Sequence, residues 1–102
     1  MARIVLVCVA GVSGTFLARR LRDVAPEHRI EVSSLAGLVP GAADLVLLAP
    51  QLAAAADRVR ELAAPAPVLE LAPADFAPDA AAGVAERIRA RLVAVEPGQP
   101  RD

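Results

Sequence analysis

The single cysteine of the chain, Cys8, ends an apolar run and opens the segment Cys8-Val9-Ala10-Gly11-Val12-Ser13-Gly14-Thr15-Phe16. A thiolate is a strong nucleophile, and what surrounds it here is the material of an anion cradle. Gly11 and Gly14 let the backbone turn tightly and aim successive N–H groups inward. Ser13 and Thr15 can add hydroxyl donors, and either can cap a following helix. The amino end of that helix supplies unpaired N–H groups and the positive end of its dipole. Features that hold a phosphate also stabilise a thiolate, so they are expected to lower the pKa of Cys8. The alternative is a buried, inert cysteine on an ordinary strand–helix turn, since free cysteine is often buried. The Gly/Ser/Thr composition and the position after an apolar run favour chemistry.

Two kinds of phosphate chemistry use such a loop. A small thiol phosphatase needs a cation to stabilise the transferring phosphoryl group, usually an Arg that closes the loop. No Arg or Lys occurs between Val9 and Ala18, and Arg19 and Arg20 come a full helical turn after Thr15. Asp75 could pass for a phosphatase general acid, but without the loop Arg it is not enough. A cradle of backbone donors, with no nearby base to activate water, suits holding a thiophosphate until an acceptor arrives.

The elements that must position Cys8 are legible in the hydropathy pattern. Arg3 to Cys8 and Asp44 to Leu48 are continuous apolar runs, as in strands covered on both faces. Arg29 to Ser33 alternates, and Val68 to Leu71 is short and interrupted by Glu70, as in edge strands. Three helical stripes lie between and after them: Leu17, Leu21, Val24 and Ala25; Leu52, Ala55, Val59 and Leu62; Val84, Ile88, Leu92 and Val95. Pro50 suits the first turn of the second helix, and Pro78 and Asp79 the start of the third.

This alternation predicts an α/β fold with three layers: an open sheet of four parallel strands, order 2-1-3-4, with helices on both faces. The order places a topological switch point between strands one and three, where open sheets bind ligands beyond the strand carboxyl ends. As the last residue of strand one, Cys8 falls in that crevice. Residues 1–95 are expected to form one domain and residues 96–102 a flexible tail.

Composition excludes several other functions. The chain has 102 residues and a formal net charge of −1, which gives no pull toward nucleic acid, and its two aromatics are too few for base stacking. All 11 basic residues are Arg, interleaved with acids along the helices, as on solvated faces. The charge-free stretch from Ile4 to Ala18 is broken by glycines and is too short to span a membrane. A buried first strand explains it better than a signal peptide does. One cysteine permits no internal disulfide and no Cys-rich metal site. His28 has no ligand partner at useful spacing and reads as an exposed turn residue.

Two motifs resemble the lactose/cellobiose/chitobiose-type IIB proteins of the bacterial sugar phosphotransferase system. The segment Val5-Leu6-Val7-Cys8-Val9-Ala10-Gly11-Val12-Ser13 is similar to the family's apolar strand followed by Cys-x-x-Gly-Met-Ser-Thr-Ser. Asp44-Leu45-Val46-Leu47-Leu48-Ala49-Pro50-Gln51-Leu52 is close to its Asp-Val-Val-Leu-Leu-Gly-Pro-Gln-Ile, and this second match is the more distinctive. A weaker likeness runs from Pro67-Val68 to the loop around Phe76, where the family often has Tyr-Gly.

The resemblance implies a phosphotransferase component, a cytoplasmic phosphoprotein. Cys8 would accept a phosphoryl group from the phosphohistidine of a soluble IIA protein and pass it to a sugar held by a membrane IIC permease. Val9, Ala10, Gly11, Val12, Ser13, Gly14 and Thr15 would form the phosphate loop, with Gln51 and Phe76 near the site. No metal, organic cofactor, nucleic acid or direct membrane insertion is implied. The chain departs from the family pattern where Ser-Thr-Ser becomes Ser13-Gly14-Thr15 and Tyr-Gly becomes Phe76-Ala77. That altered loop motivates one alternative, a regulatory or orphan IIB-like binding module; a small thiol phosphatase is the other.

Overall fold

Apolar runs without alternation must be covered on both faces, and two of them form the centre of the sheet. The structure is a computed structural model that describes residues 2–9 and 12–94. Strand β1 (Arg3–Val7) lies parallel to β3 (Leu45–Leu48), with Ile4 opposite Leu45 and Val7 opposite Leu48. Strand β2 (Arg29–Ser33) pairs with the free side of β1, and β4 (Val68–Glu70) with the free side of β3. All pairs are parallel and the order is β2-β1-β3-β4, as the hydropathy pattern predicts.

Side-chain alternation sends the central strands into two cores. Ile4, Leu6, Leu45 and Leu47 meet Leu17 and Leu21 of α1 (Val12–Val24), Ala25 just past it, and Val84 and Ile88 of α3 (Ala81–Ala94) on one face. Val5, Val7, Val46 and Leu48 meet Val59 and Ala63 of α2 (Ala56–Ala63) on the other. Buried alanines such as Ala18 and Ala85 let the helices come close to the sheet without aromatic filling.

The structure moves several expected boundaries. β1 stops at Val7, so Cys8 is the residue after the strand rather than its last. The second helix is broken: a 3-10 turn, Pro50–Ala55, precedes α2, and Leu52 has φ −107° and ψ 17°, outside helical geometry. Leu52 and Ala55 therefore do not share a straight stripe with Val59, and α2 buries Ala56, Val59 and Ala63 instead. A second 3-10 turn, Pro73–Phe76, occupies the approach to α3, which starts at Ala81 rather than near Pro78 and Asp79. Val24 is exposed because Ala25, just past α1, takes the buried place. Val95 of the third stripe and the proposed tail lie outside the described residues.

His28 is not an exposed turn residue. Its Nδ1 accepts the Ala2 N–H at 3.1 Å, and its Nε2 lies 3.4 Å from Glu27 Oε2. A ring whose Nδ1 accepts carries its proton on Nε2, toward the carboxylate. Arg89 of α3 lies 3.7 Å from the same carboxylate and donates to the Val24 carbonyl at 3.3 Å. These contacts tie α3 and the end of α1 to the amino end of the sheet.

The arginines are not all solvated either. In β2, Arg29 and Ser33 bond toward β1, so Ile30 and Val32 turn their backbone groups outward. Arg22 of α1 caps that open edge, its Nε and Nη2 donating to the Ile30 carbonyl at 3.1 and 2.7 Å. In β4, Pro67 and Leu71 bond toward β3, leaving Val68 and Glu70 at the other edge. There Arg91 donates to the Val68 carbonyl at 3.1 Å and Arg87 to the Glu70 carbonyl at 3.4 Å. Both edges are thus partly occupied by guanidinium groups, which hinder another strand from adding. Replacing Arg22 and Arg91 together by alanine is expected to increase concentration-dependent self-association. Size exclusion with light scattering tests this, and a double variant no more associated than the native chain contradicts it.

Candidate functional site

The connections from β1 and β3 leave the carboxyl end of the sheet in opposite senses. The chain after β1 runs through α1 to β2, and the chain after β3 runs through α2 to β4. Their divergence opens a crevice, with Cys8 on one side and Ala49, Pro50 and Gln51 on the other. Cys8 is held there by its N–H, which donates to the Ser33 carbonyl at 3.0 Å, while Ala49 donates to the Val7 carbonyl at 3.0 Å. Residues on both sides of the switch point are therefore fixed by the sheet itself.

The thiol does not match the expectation of an activated thiolate. Cys8 is 8% exposed, its sulfur lies against Gly14 in the first turn of α1, and burial pushes its pKa up. A sulfur removed from water, with no cation among the described residues offsetting that burial, holds its proton more firmly. The geometry therefore presents a neutral, shielded thiol.

The other expected site residues are distributed unevenly around it. Val9, next to Cys8, is 53% exposed. Ala10 and Gly11 lie outside the described residues. Val12 to Thr15 form the first turn of α1, so Ser13 and Thr15 are inside the helix rather than capping it from the position ahead. Gln51 is exposed in the 3-10 turn, two residues beyond Ala49. Phe76 packs against the core shared by α1 and α3.

Two charged groups that bear on hydrolysis are engaged elsewhere. Asp75 is 16% exposed; its Oδ2 accepts the Ala72 N–H at 2.8 Å and its Oδ1 pairs with Arg87 at 2.9 Å. Both oxygens serve a turn cap and an ion pair, so this carboxylate is not poised as a general acid. Arg20 places its guanidinium 5.9 Å from the centre of the Phe16 ring, a cation–π contact that only the i,i+4 spacing hinted at. Phe16 itself is 46% exposed. His28 marks the other end of the sheet: β1 separates it from Cys8 by about 20 Å at strand rise.

Among the described residues no group of three His, Cys, Asp or Glu side chains could hold a metal ion. Nor is any described helix long and apolar enough to cross a membrane. A shallow groove of about 290 Å³, bordered by Arg20, Asp23, Pro78 and Asp79, does not include Cys8.

Residues 3–86 match a family model described as "PTS system, Lactose/Cellobiose specific IIB subunit". No curated protein matches the chain in sequence.

Alkylation of Cys8 by iodoacetamide, followed against pH, is expected to show a midpoint above that of an ordinary thiol. The sign also applies to stability: the contribution of the shielded thiol is present below the unfolded thiol pKa and is lost as pH rises through the raised folded value. A midpoint at or below the ordinary value contradicts the burial argument. Asp75→Ala is expected to lower stability by about 1 kcal/mol in urea denaturation, the usual size of a lost cap. An unchanged midpoint there removes the capping role.

Proposed function

The chain belongs to the lactose/cellobiose-specific IIB subunits of the sugar phosphotransferase system, and on that premise we propose that Cys8 is the residue that carries the phosphoryl group. Membership supports a part in phosphotransfer for sugar uptake. The observation that carries the finer reading is the position of the only thiol, immediately after β1 at the switch point.

The donor is a soluble IIA protein bearing a phosphohistidine. The Cys8 sulfur attacks phosphorus in line, the P–N bond to the imidazole breaks and a P–S bond forms. The thiol proton goes to the departing imidazole nitrogen, so the step balances without a separate base. A thiol that keeps its proton until the donor arrives suits this exchange. In the second step a sugar hydroxyl, held by a membrane IIC permease, attacks the same phosphorus. The S–P bond breaks, the sugar phosphate leaves, and a proton from the hydroxyl restores the thiol. The protein works in the cytoplasm, between its soluble donor and its permease.

Val9, Ala10, Gly11, Val12, Ser13, Gly14 and Thr15 form the phosphate loop in this reading, and the amino end of α1 favours the negative phosphoryl oxygens. Gln51 borders the crevice from the β3 side, and Phe76 supports the site through core packing. The exposed Val9 and Phe16 offer apolar contact to a protein partner that approaches Cys8. Hydrolysis is disfavoured by the loop, which contains no Arg, and by Asp75, whose two oxygens are engaged.

Incubation with a phosphorylated IIA protein is expected to add one phosphoryl group to the chain, read by intact-mass spectrometry and absent in Cys8→Ser. No adduct with a donor that phosphorylates another IIB protein overturns the assignment. An adduct that no IIC permease discharges to sugar assigns a regulatory module instead. Turnover of p-nitrophenyl phosphate, lost in Cys8→Ala, assigns a phosphatase.

A further inference from the structure

We propose that Gly14 is a positioning residue: its missing side chain leaves a notch in helix α1 that holds the Cys8 sulfur in a retracted place, out of which the thiol must turn to meet a phosphoryl donor. A Cβ placed on Gly14 would stand 2.5 Å from Cys8 Sγ, a separation that carbon and sulfur do not tolerate. The same atom would stand 3.5 Å from Cys8 Cβ and 3.8 Å from Leu6 Cδ2, both ordinary contacts. The sulfur is therefore the one group that a side chain at this position displaces.

Relief would come from the sulfur rather than from the backbone. The Cys8 N–H is bonded to the Ser33 carbonyl and Val7 is bonded to Ala49, so the chain on either side of the switch point is fixed. The sulfur turns about a single side-chain torsion, with staggered alternatives available. Any residue larger than glycine at position 14 thus pushes the sulfur off the helix and strips away part of its cover. The close approach of Gly14 is part of what leaves Cys8 only 8% exposed, and burial alone raises the thiol, with no charged side chain contributing.

For phosphoryl transfer, which rests on the assignment of Cys8 as acceptor, the notch separates a stored from a reactive thiol. A sulfur covered by the first turn of α1 cannot present its lone pair to the phosphorus of a donor protein. The retracted position also protects the chain's only thiol from alkylating and oxidising reagents between cycles. The notch itself does not depend on that assignment, and it can be tested without any phosphoryl donor.

The test compares Gly14→Ala with the native chain, alone and in a Cys8→Ala background. With the sulfur present, Gly14→Ala is expected to raise the iodoacetamide rate at pH 7 by about threefold or more, because an uncovered sulfur is both easier to reach and easier to ionise. The alkylation midpoint should move down in pH with it. In the Cys8→Ala background, Gly14→Ala should raise Tm, because alanine favours a helix interior over glycine and no sulfur is left to displace. With Cys8 present that gain should shrink or reverse. The notch is overturned by equal Tm changes in the two backgrounds, or by an alkylation rate and midpoint that do not move. If Gly14→Ala fails to fold with Cys8 present while C8A/G14A folds, the clash with sulfur is confirmed by that rescue. Failure of the phosphoryl adduct leaves these readouts untouched, so the two assignments fail separately.

Discussion

Strands β1 and β3 lie side by side, and every residue from Ile4 to Val7 and from Leu45 to Leu48 is buried. A parallel pair of this kind has no wet face, so helices must cover it on both sides. Parallel pairing also rules out hairpins, and each strand must reach its neighbour through a crossover. With β1 continuing to β2 and β3 to β4, the two crossovers depart in opposite directions from the centre. The crevice beside Cys8 is a geometric result of that divergence and needs no dedicated residues to open it.

The outer strands carry the opposite problem, since each has one row of backbone groups without a strand partner. Guanidinium groups meet part of that need. Arg22, Arg87 and Arg91 reach over from the helices to the carbonyls of Ile30, Glu70 and Val68. The fork of Arg22 puts two N–H groups on one oxygen, which a lysine ammonium does with less directional control. The exclusive use of arginine among the basic residues fits this task, although exposed positions such as Arg19 and Arg58 have no share in it. Small alanines in the helices keep the layers thin enough for these side chains to reach the edges.

The shielded thiol changes how the site is best understood. An anion cradle by itself leads one to expect a thiolate, but burial acts against charge on Cys8. A neutral thiol has the right proton inventory for exchange with a phosphorylated imidazole, whose nitrogen needs a proton as it leaves. Hydrolysis would ask for different parts: a cation on the transferring group and a base for water. Asp75 shows how a carboxylate near the carboxyl end of the sheet can look catalytic in sequence and be consumed by a cap and an ion pair.

How much of this was legible depends on whether a feature is local. Unbroken apolar runs against alternating ones separated central from edge strands, and with the crossover rule that sufficed for the order β2-β1-β3-β4. The same patterns put Cys8 beside the switch point, and the motifs around Cys8 and Gln51 pointed to the family. Boundaries drifted where tertiary contacts override a stripe: Leu52 leaves helical geometry beside the β3 exit, and Ala25 replaces Val24 in the core. His28 looked isolated because its partner, the Ala2 N–H, is 26 positions away in the chain. The arginine caps were hidden for the same reason. The residue types around Cys8 were set by sequence, but the state of its sulfur was not. Its burial depends on how closely α1 approaches β1, a distance set by helix-on-sheet packing and by the absent Cβ of Gly14.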